Sequence, residues 1–474
     1  MGAAAVAIGR PGEEWQAPEV ARQGRRWELL MGEDALAFAG TAGKVGLRNL
    51  GNTCFMNTGL QCLCHLAPFV AYFLTGKYKE ELNRANPMGS GGRLAEAIAG
   101  LQVELWQKQQ ATLNPRSLHK LFKQISPYLF EGYDQQDVQE FLVFCLDGLH
   151  EDLNLVATKP APAGDTDEAD AKALAERGEE YLAALSWRRH LSRGKSFLVD
   201  LFQGQLRSSL TCTECGHCRI AFEPFLYLSV PLARNGSMAR LEDAIEKYLE
   251  EETLTGEERW KCPKCKRKVD TRKKIDLWKL PPVLVLHLKR FEFDQGRRRF
   301  KKIDTMLASP LTVDLTAYAS SPQREHSTYD VVGVANHIGA YGSGHYTAYC
   351  RVMMAHSAEG EWNHFNDDRV SVIDAKEVIS PNSYVIFLVR RAEGDRPIQR
   401  QSVSFPEVWP HCVSKQNSLL HEFFPKEPGT PPRSGAALDE VEDPSKAPSA
   451  PEPHVRAAHV AAAVAARPGV RIRS

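Results

Sequence analysis

Two side chains far apart in the sequence have the types that nucleophilic chemistry needs. Cys54 lies in Gly46-Leu47-Arg48-Asn49-Leu50-Gly51-Asn52-Thr53-Cys54-Phe55-Met56-Asn57, and His345 lies nearly three hundred residues downstream in Gly344-His345-Tyr346-Thr347-Ala348-Tyr349. A thiol and an imidazole brought together by folding make a cysteine hydrolase, in which the thiolate attacks and the imidazole takes and then returns a proton. The bland alternatives are a buried structural thiol and a packed histidine. The residues before Cys54 read as a Gly/Asn loop. After it, Leu60, Leu63, Cys64 and Ala67 recur at spacings of three and four, which predicts a helix with the sulfur near its N-terminus. The positive end of that helix is expected to lower the thiol pKa.

A second set of cysteines points to a metal. Cys212-Thr213-Glu214-Cys215 and Cys262-Pro263-Lys264-Cys265 are separated by 46 residues, a wider gap than in a compact zinc finger. Two such knuckles on neighbouring β-ribbons can deliver four thiolates to one tetrahedral Zn2+. Gly216 and Pro263 suit the turns that a chain makes around a metal. His217 and Cys218 stand by as spare ligands. A thioredoxin-like redox role fits less well, because neither pair opens a helix after a strand.

Composition narrows the function classes. The chain has 474 residues and 43% hydrophobic content, enough for two to four domains and their cores. Lys plus Arg (59) equals Asp plus Glu (59), so no global field favours nucleic acid or an anionic membrane, and a partner has to be recognised by local surface. The most apolar run, Leu280 to Leu288, is too short to span a bilayer. Met1 to Arg10 lacks the basic region of a secretory signal, and Val6 occupies the place where myristoylation expects Ser or Thr. The expectation is a protein of the cytosol or nucleus with neither a membrane nor a nucleic-acid partner.

Several kinds of element have to position these groups. Residues 1–43 read as a flexible leader. Residues 46–155 are helical in pattern, with apolar repeats over Leu94 to Trp106, Leu118 to Phe122 and Val138 to Leu149. Residues 156–196 read as an insertion, a Pro/Ala-rich loop followed by a surface helix. From Phe197 the pattern turns to strands: Phe197 to Phe202, Phe225 to Val230, then Leu280 to Leu288, whose near-continuous apolar run predicts a strand buried on both faces. Strands at Tyr329 to Ala335, Tyr346 to Val352, Val370 to Ile373 and Tyr384 to Val389 complete a β-rich lobe carrying His345. Residues 393–474 read as a disordered tail, with Leu419 to Phe424 its one apolar patch.

The Cys54 run, Tyr133-Asp134-Gln135-Gln136-Asp137-Val138-Gln139-Glu140-Phe141-Leu142, the paired CxxC motifs, His287-Leu288-Lys289-Arg290-Phe291 and the His345 run follow one another in a single order. Together they resemble the ubiquitin-specific peptidases over residues 46–391. The resemblance implies an α+β papain-like cysteine protease fold, with a helical thumb (46–155), the insertion (156–196), zinc-bearing fingers (207–275) and a β-rich palm (280–391). It implies a thiol hydrolase that cuts after the C-terminal glycine of ubiquitin, with ubiquitin and ubiquitinated proteins as partners and a structural Zn2+ on Cys212, Cys215, Cys262 and Cys265. Cys54 is then the nucleophile and His345 the base. The residue after Phe365, which orients the base, is Asn366 here where many relatives have Asp; Asp367 follows and can share or replace that role. Asn49 matches the oxyanion-stabilising position. Gln135, Asp137 and Glu140 match the region that contacts the substrate tail, the last two three residues apart on one helical face. Gly344 and Tyr346 suit a narrow glycine channel, and Tyr346 equally suits packing in a sheet. Three other readings remain: a non-catalytic ubiquitin-binding scaffold on the same fold, a zinc-ribbon nucleic-acid binder using the basic stretch Lys261 to Lys274, and a hydrolase acting on a ubiquitin-like modifier.

Overall fold

The computed structural model describes residues 43–108, 110–126, 135–160, 167–232, 239–294, 298–322, 326–354 and 357–391. The proposed leader, apart from Gly43, the tail and its Leu419 to Phe424 patch lie outside the described residues, as do Tyr133 and Asp134.

The chain begins with β1 (Gly46–Leu47), turns, and enters α1 (Cys54–Cys64), a helix whose eleven residues are all buried. A helix buried all round must satisfy its polar side chains internally; Gln61 does so by donating to the carbonyl of Val45 at 2.8 Å. α2 (Ala67–Leu74), α3 (Arg93–Trp106), α4 (Arg116–Ile125) and α5 (Val138–Asp152) are the other long helices of this part, with a single turn over Tyr78–Glu81 between the first two. The insertion carries α6 (Asp167–Leu191), broken at Gly178, where φ is 81°. Its Leu182 and Ala183 pack with Phe222 and Trp278 in a small separate core.

Phe197 to Phe202 corrects a sequence expectation: the run is a helix, α7 (Phe197–Phe202), not a strand. Ser196 caps it, its side chain accepting from the Val199 N–H at 3.4 Å, and Phe197 stacks on Tyr72 of α2 with ring centroids 3.8 Å apart. The run Phe225 to Val230 is likewise not one strand. β2 (Gly204–Cys212) and β3 (Cys218–Phe225) form a ribbon, whereas β4 (Leu228–Pro231) joins a different sheet.

β5 (Glu252–Leu254) and β6 (Thr271–Lys279) extend the ribbon into a four-stranded antiparallel sheet in the order β3-β2-β6-β5. The main sheet is built from β4, β7 (Val283–Lys289), β8 (Thr312–Asp314), β9 (Thr328–Ala340), β10 (Ser343–Met354), β11 (Ser357–Asn366), β12 (Arg369–Val372) and β13 (Ser383–Arg390). Its order is β12-β11-β10-β9-β13-β7-β4, with β8 paired to β9 and only β7 and β4 parallel. Alternation along β7 and β13 explains why Val283 to Leu286 and Tyr384 to Val389 run apolar without a break. Val283, Val285, Val385 and Phe387 join the core shared with the helices, while Leu284, Leu286, Leu288, Ile386 and Leu388 enter a second core on the other face. Full burial of each such side chain contributes on the order of 1.5–3 kcal/mol, which fixes the sheet against α1. No helix of the described residues is long and apolar enough to cross a membrane.

Candidate active site

The loop before α1 is organised by Asn49. Its Oδ1 accepts from the N–H groups of Gly51 (2.9 Å) and Thr53 (3.1 Å) and from the Thr53 hydroxyl (3.2 Å), while Thr53 Oγ1 accepts from the Leu50 N–H at 2.8 Å. Gly51 and Asn52 both take left-handed backbone conformations, φ 98° and 52°, and this turn delivers Cys54 to the first position of α1. The Cys54 side chain is buried, with 3% exposure. Gln135 Nε2 donates to its sulfur at 3.5 Å, and the nearby backbone N–H groups of Tyr346 and Phe55 favour the thiolate. Among the described residues the imidazole of His345 does not hydrogen-bond to the sulfur.

The expectation of a lowered thiol pKa is corrected. The Cys54 thiol is pushed up, first by burial and also by the nearby carboxylate of Asp367, and the N–H donors around the sulfur do not offset these two effects. Removing the thiolate from water outweighs the end of one helix.

His345 stands on β10 beside β11. The register Ala348 opposite Phe365 brings the end of β11 alongside the start of β10, and His345 Nε2 donates to Asn366 Oδ1 at 2.7 Å. With Nε2 holding its proton against this acceptor, Nδ1 is left as the basic nitrogen. Asp367 Oδ2 lies 3.9 Å from the same Nε2. The two candidates for the orienting role are thereby separated: Asn366 makes the direct hydrogen bond, and Asp367 sits at ion-pair distance. Asp367 is itself held, its Oδ2 accepting from Asn49 Nδ2 at 2.9 Å and its Oδ1 from Asn57 Nδ2 at 2.8 Å. The Asn49 amide thus lies beside the site with its side-chain donor directed to Asp367.

Gln135 lies across the approach to the sulfur. Its Nε2 donates to the Gly344 carbonyl at 2.7 Å and its Oε1 accepts from the Gly344 N–H at 3.1 Å, so the amide pairs with the backbone as a neighbouring strand does. A Cβ on Gly344 would stand 2.6 Å from both His337 Nε2 and the Ile338 carbonyl, which only glycine avoids. Asp137 is the N-cap of α5, its Oδ1 accepting from the N–H groups of Gln139 (2.7 Å) and Glu140 (3.3 Å). Its Oδ2 accepts from the hydroxyls of Tyr346 (3.1 Å) and Tyr384 (2.8 Å). Asp137 therefore ties the helical part to the sheet. Tyr346 is buried and packs against His337 at 4.8 Å, in keeping with a sheet-packing aromatic. Glu140 reaches solvent in the first turn of α5; crowding by surrounding protein and the charge of Asp137 raise its pKa. Tyr384 and Asn57 carry roles for which the sequence offers no signal beyond their types.

The four cysteines of the two knuckles converge. Cys212 Sγ is 3.9 Å from Cys265 Sγ, Cys215 Sγ is 3.7 Å from Cys262 Sγ, and all four lie within 4.8 Å of one another. A tetrahedral Zn2+ with bonds of about 2.3 Å needs sulfurs roughly 3.8 Å apart, so the donor set fits that ion. In each knuckle the N–H of the second cysteine points at the first sulfur, Cys215 to Cys212 and Cys265 to Cys262, each at 3.4 Å. The Cys215 N–H is the largest influence in drawing the Cys212 thiol down to about 7. The spare ligands stay outside: His217 stacks on Trp260 and Cys218 is exposed.

A buried cysteine opening a helix, beside an imidazole and amide pair on the adjoining sheet, defines a papain-like site on an α+β fold. The chain matches the family described as "Ubiquitin carboxyl-terminal hydrolase" over residues 45–388, and it belongs to that family. It is 38% identical over 359 residues to ubiquitin carboxyl-terminal hydrolase 2 of Rattus norvegicus, covering 75% of this chain and 55% of the relative. The protein of the same name in Gallus gallus is 39% identical over 348 residues, 73% of this chain and 93% of that one. Ubiquitin carboxyl-terminal hydrolase 21 of Homo sapiens is 34% identical over 358 residues, 73% and 61%. The chain thus spans little more than half the length of several relatives it matches. Among solved structures it resembles a SAGA DUB module containing Ubp8 and bound to monoubiquitin, with a TM-score of 0.56 and 25% identity over 74% of this chain and 70% of that one.

Proposed function

We propose that this protein is a thiol-dependent hydrolase that cleaves isopeptide or peptide bonds after the C-terminal glycine of ubiquitin and so removes ubiquitin from conjugates. The observation that carries the reading is the hydrogen bond from His345 to Asn366, 2.7 Å, on the strands beside the Cys54 sulfur. In the reaction His345 Nδ1 takes the thiol proton, the sulfur bonds to the glycine carbonyl carbon, and the imidazolium returns the proton to the leaving amine as the C–N bond breaks. Water then hydrolyses the thioester with the same imidazole as base. Asn366 keeps the ring oriented, Asp367 stabilises its charged form, and backbone N–H groups with Asn49 serve the oxyanion once the Asn49 amide is released from Asp367.

For the tail we assign Gln135, Gly344 and Glu140 to direct contact, with Asp137 and Tyr346 holding the frame behind them. The helical part over 46–155 serves as thumb, 207–275 as fingers and 280–391 as palm, with 156–196 inserted between the first two. Cys212, Cys215, Cys262 and Cys265 would hold a structural Zn2+ that cross-links the fingers. The described cysteines are all free thiols, which supports a reducing compartment, cytosol or nucleus.

The test is reaction with a ubiquitin C-terminal electrophile followed by mapping of the adduct. We expect one adduct on Cys54, and faster turnover of a fluorogenic ubiquitin amide than of matched ubiquitin-like substrates. Ubiquitin binding without any adduct would favour the non-catalytic scaffold instead.

A further inference from the structure

Asn57 lies one turn after Cys54 on α1 and is 2% exposed. Its amide nitrogen donates to Asp367 Oδ1 at 2.8 Å and to the carbonyl of Leu47 at 3.1 Å, with a longer contact to the Arg48 carbonyl at 3.4 Å. Its carbonyl oxygen is buried without a partner among the described residues. A buried, unpartnered amide oxygen is destabilising, and an apolar side chain of the same shape would avoid it. The donors of Asn57 are what compensate for that oxygen, and they converge on the two segments that frame the site.

Those segments are drawn together closely. The Leu47 N–H donates to the Asp367 carbonyl at 2.8 Å, and a Cβ on Gly46 would lie 2.4 Å from the Asp368 carbonyl oxygen. Asp367 has φ 51°, the left-handed region that a residue with a side chain keeps only when its surroundings hold it there. Asn49 and Asn57 grip one carboxylate oxygen each. Of the two, Asn49 belongs to the loop, whereas Asn57 is anchored in the helix that carries the nucleophile.

We propose that Asn57 is a positioning residue for the reaction: it acts through Asp367, fixing that carboxylate beside the His345 ring, 3.9 Å from Nε2. The inference rests on the thiol-hydrolase reading above. A neutral amide suits this role because it binds the carboxylate without neutralising it, so the negative charge remains for the imidazolium.

The experiment is a double-mutant cycle with Asn57→Ala and Asp367→Ala in the full chain. Initial rates are measured on a fluorogenic ubiquitin amide, and alkylation of Cys54 by iodoacetamide is measured without ubiquitin. Asn57→Ala should lower kcat by about threefold to thirtyfold, no further than Asp367→Ala does, as misplacing that carboxylate requires, with KM within about twofold. In the Asp367→Ala background the same change should cost less than about threefold, because the group it positions has gone. Alkylation should follow the same pattern, Asn57→Ala changing the rate in the direction of Asp367→Ala and adding little to it. Unchanged kcat in Asn57→Ala, or factors that multiply in the double variant, would overturn the inference. Wild-type protein that does not turn over the ubiquitin amide would defeat the activity reading instead, while the alkylation cycle still judges Asn57. Should Asn57→Ala prove too unstable, Asn57→Ser is put through the same cycle.

Discussion

Replacing Asn366 and Asp367 one at a time separates a hydrogen bond from a nearby charge. Asn366→Ala removes the acceptor 2.7 Å from His345 Nε2. A hydrogen bond to a charged group is worth about 1.5–3 kcal/mol, which corresponds to a fall of roughly 10- to 150-fold in kcat. Asp367→Ala removes a carboxylate 3.9 Å from the same nitrogen. Coulomb's law gives about 4 kcal/mol at that distance for an effective dielectric of about 20. The imidazole is 37% exposed and Asp367 13%, so solvent screening leaves on the order of 1–2 kcal/mol, a fall of roughly 5- to 30-fold. Neither variant alters the residues assigned to direct tail contact, so kcat and kcat/KM should drop together with KM nearly constant. The assay is steady-state hydrolysis of a fluorogenic ubiquitin amide over a full range of substrate. A second readout distinguishes the two: Asp367 is among the groups that raise the Cys54 thiol pKa, so Asp367→Ala should move the pH profile of iodoacetamide alkylation to lower pH, and Asn366→Ala should leave it in place. Full activity in Asn366→Ala together with collapse in Asp367→Ala would refute the assignment and move the orienting role to Asp367.

Cys54→Ser should abolish hydrolysis while ubiquitin binding, measured by calorimetry or interferometry, persists; wild-type-like turnover would remove Cys54 from the site. Metal analysis of protein purified without chelator should find one Zn2+ per chain, and Cys212→Ser should lower both metal content and thermal stability more than it changes the reactivity of Cys54. A zinc-free wild-type preparation with unchanged stability would end the zinc reading. Gly344→Ala forces a Cβ to within 2.6 Å of the Ile338 carbonyl and His337 Nε2, so activity should fall by about a hundredfold through displacement of the neighbouring His345; an unaltered rate would mean that β10 shifts without cost.

What could be read from the sequence divides along physical lines. Cys54, His345 and the knuckle cysteines stand out in the sequence because thiols and imidazoles are among the few side chains suited to that chemistry and because they sit in distinctive runs and spacings, and β7 was readable because a strand buried on both faces has no polar alternation. Phe197 to Phe202 was not, since six apolar residues carry no period that distinguishes strand from helix; the capping serine before them was the available signal. The pKa of Cys54 depends on burial and on Asp367, both supplied by folding, while the sequence displays only the helix that opposes them. Arg290 belongs to a motif whose purpose the sequence does not reveal. It is fully buried, donating to the backbone carbonyls of Ser383, Ile303 and Thr305, and burial lowers its pKa to about 10. Asp137 and Glu140 show how a sound spacing rule meets its boundary. Positions three apart share a face only when both lie inside the helix, and Asp137 is the cap. Its carboxylate turns back onto the first N–H groups of α5 and receives two tyrosine hydroxyls from the sheet, whereas Glu140, a turn later, reaches solvent. The two carboxylates therefore act differently. Asp137 joins the helices to the strands that carry His345, and Glu140 is left with its charge facing outward, where a basic tail can meet it.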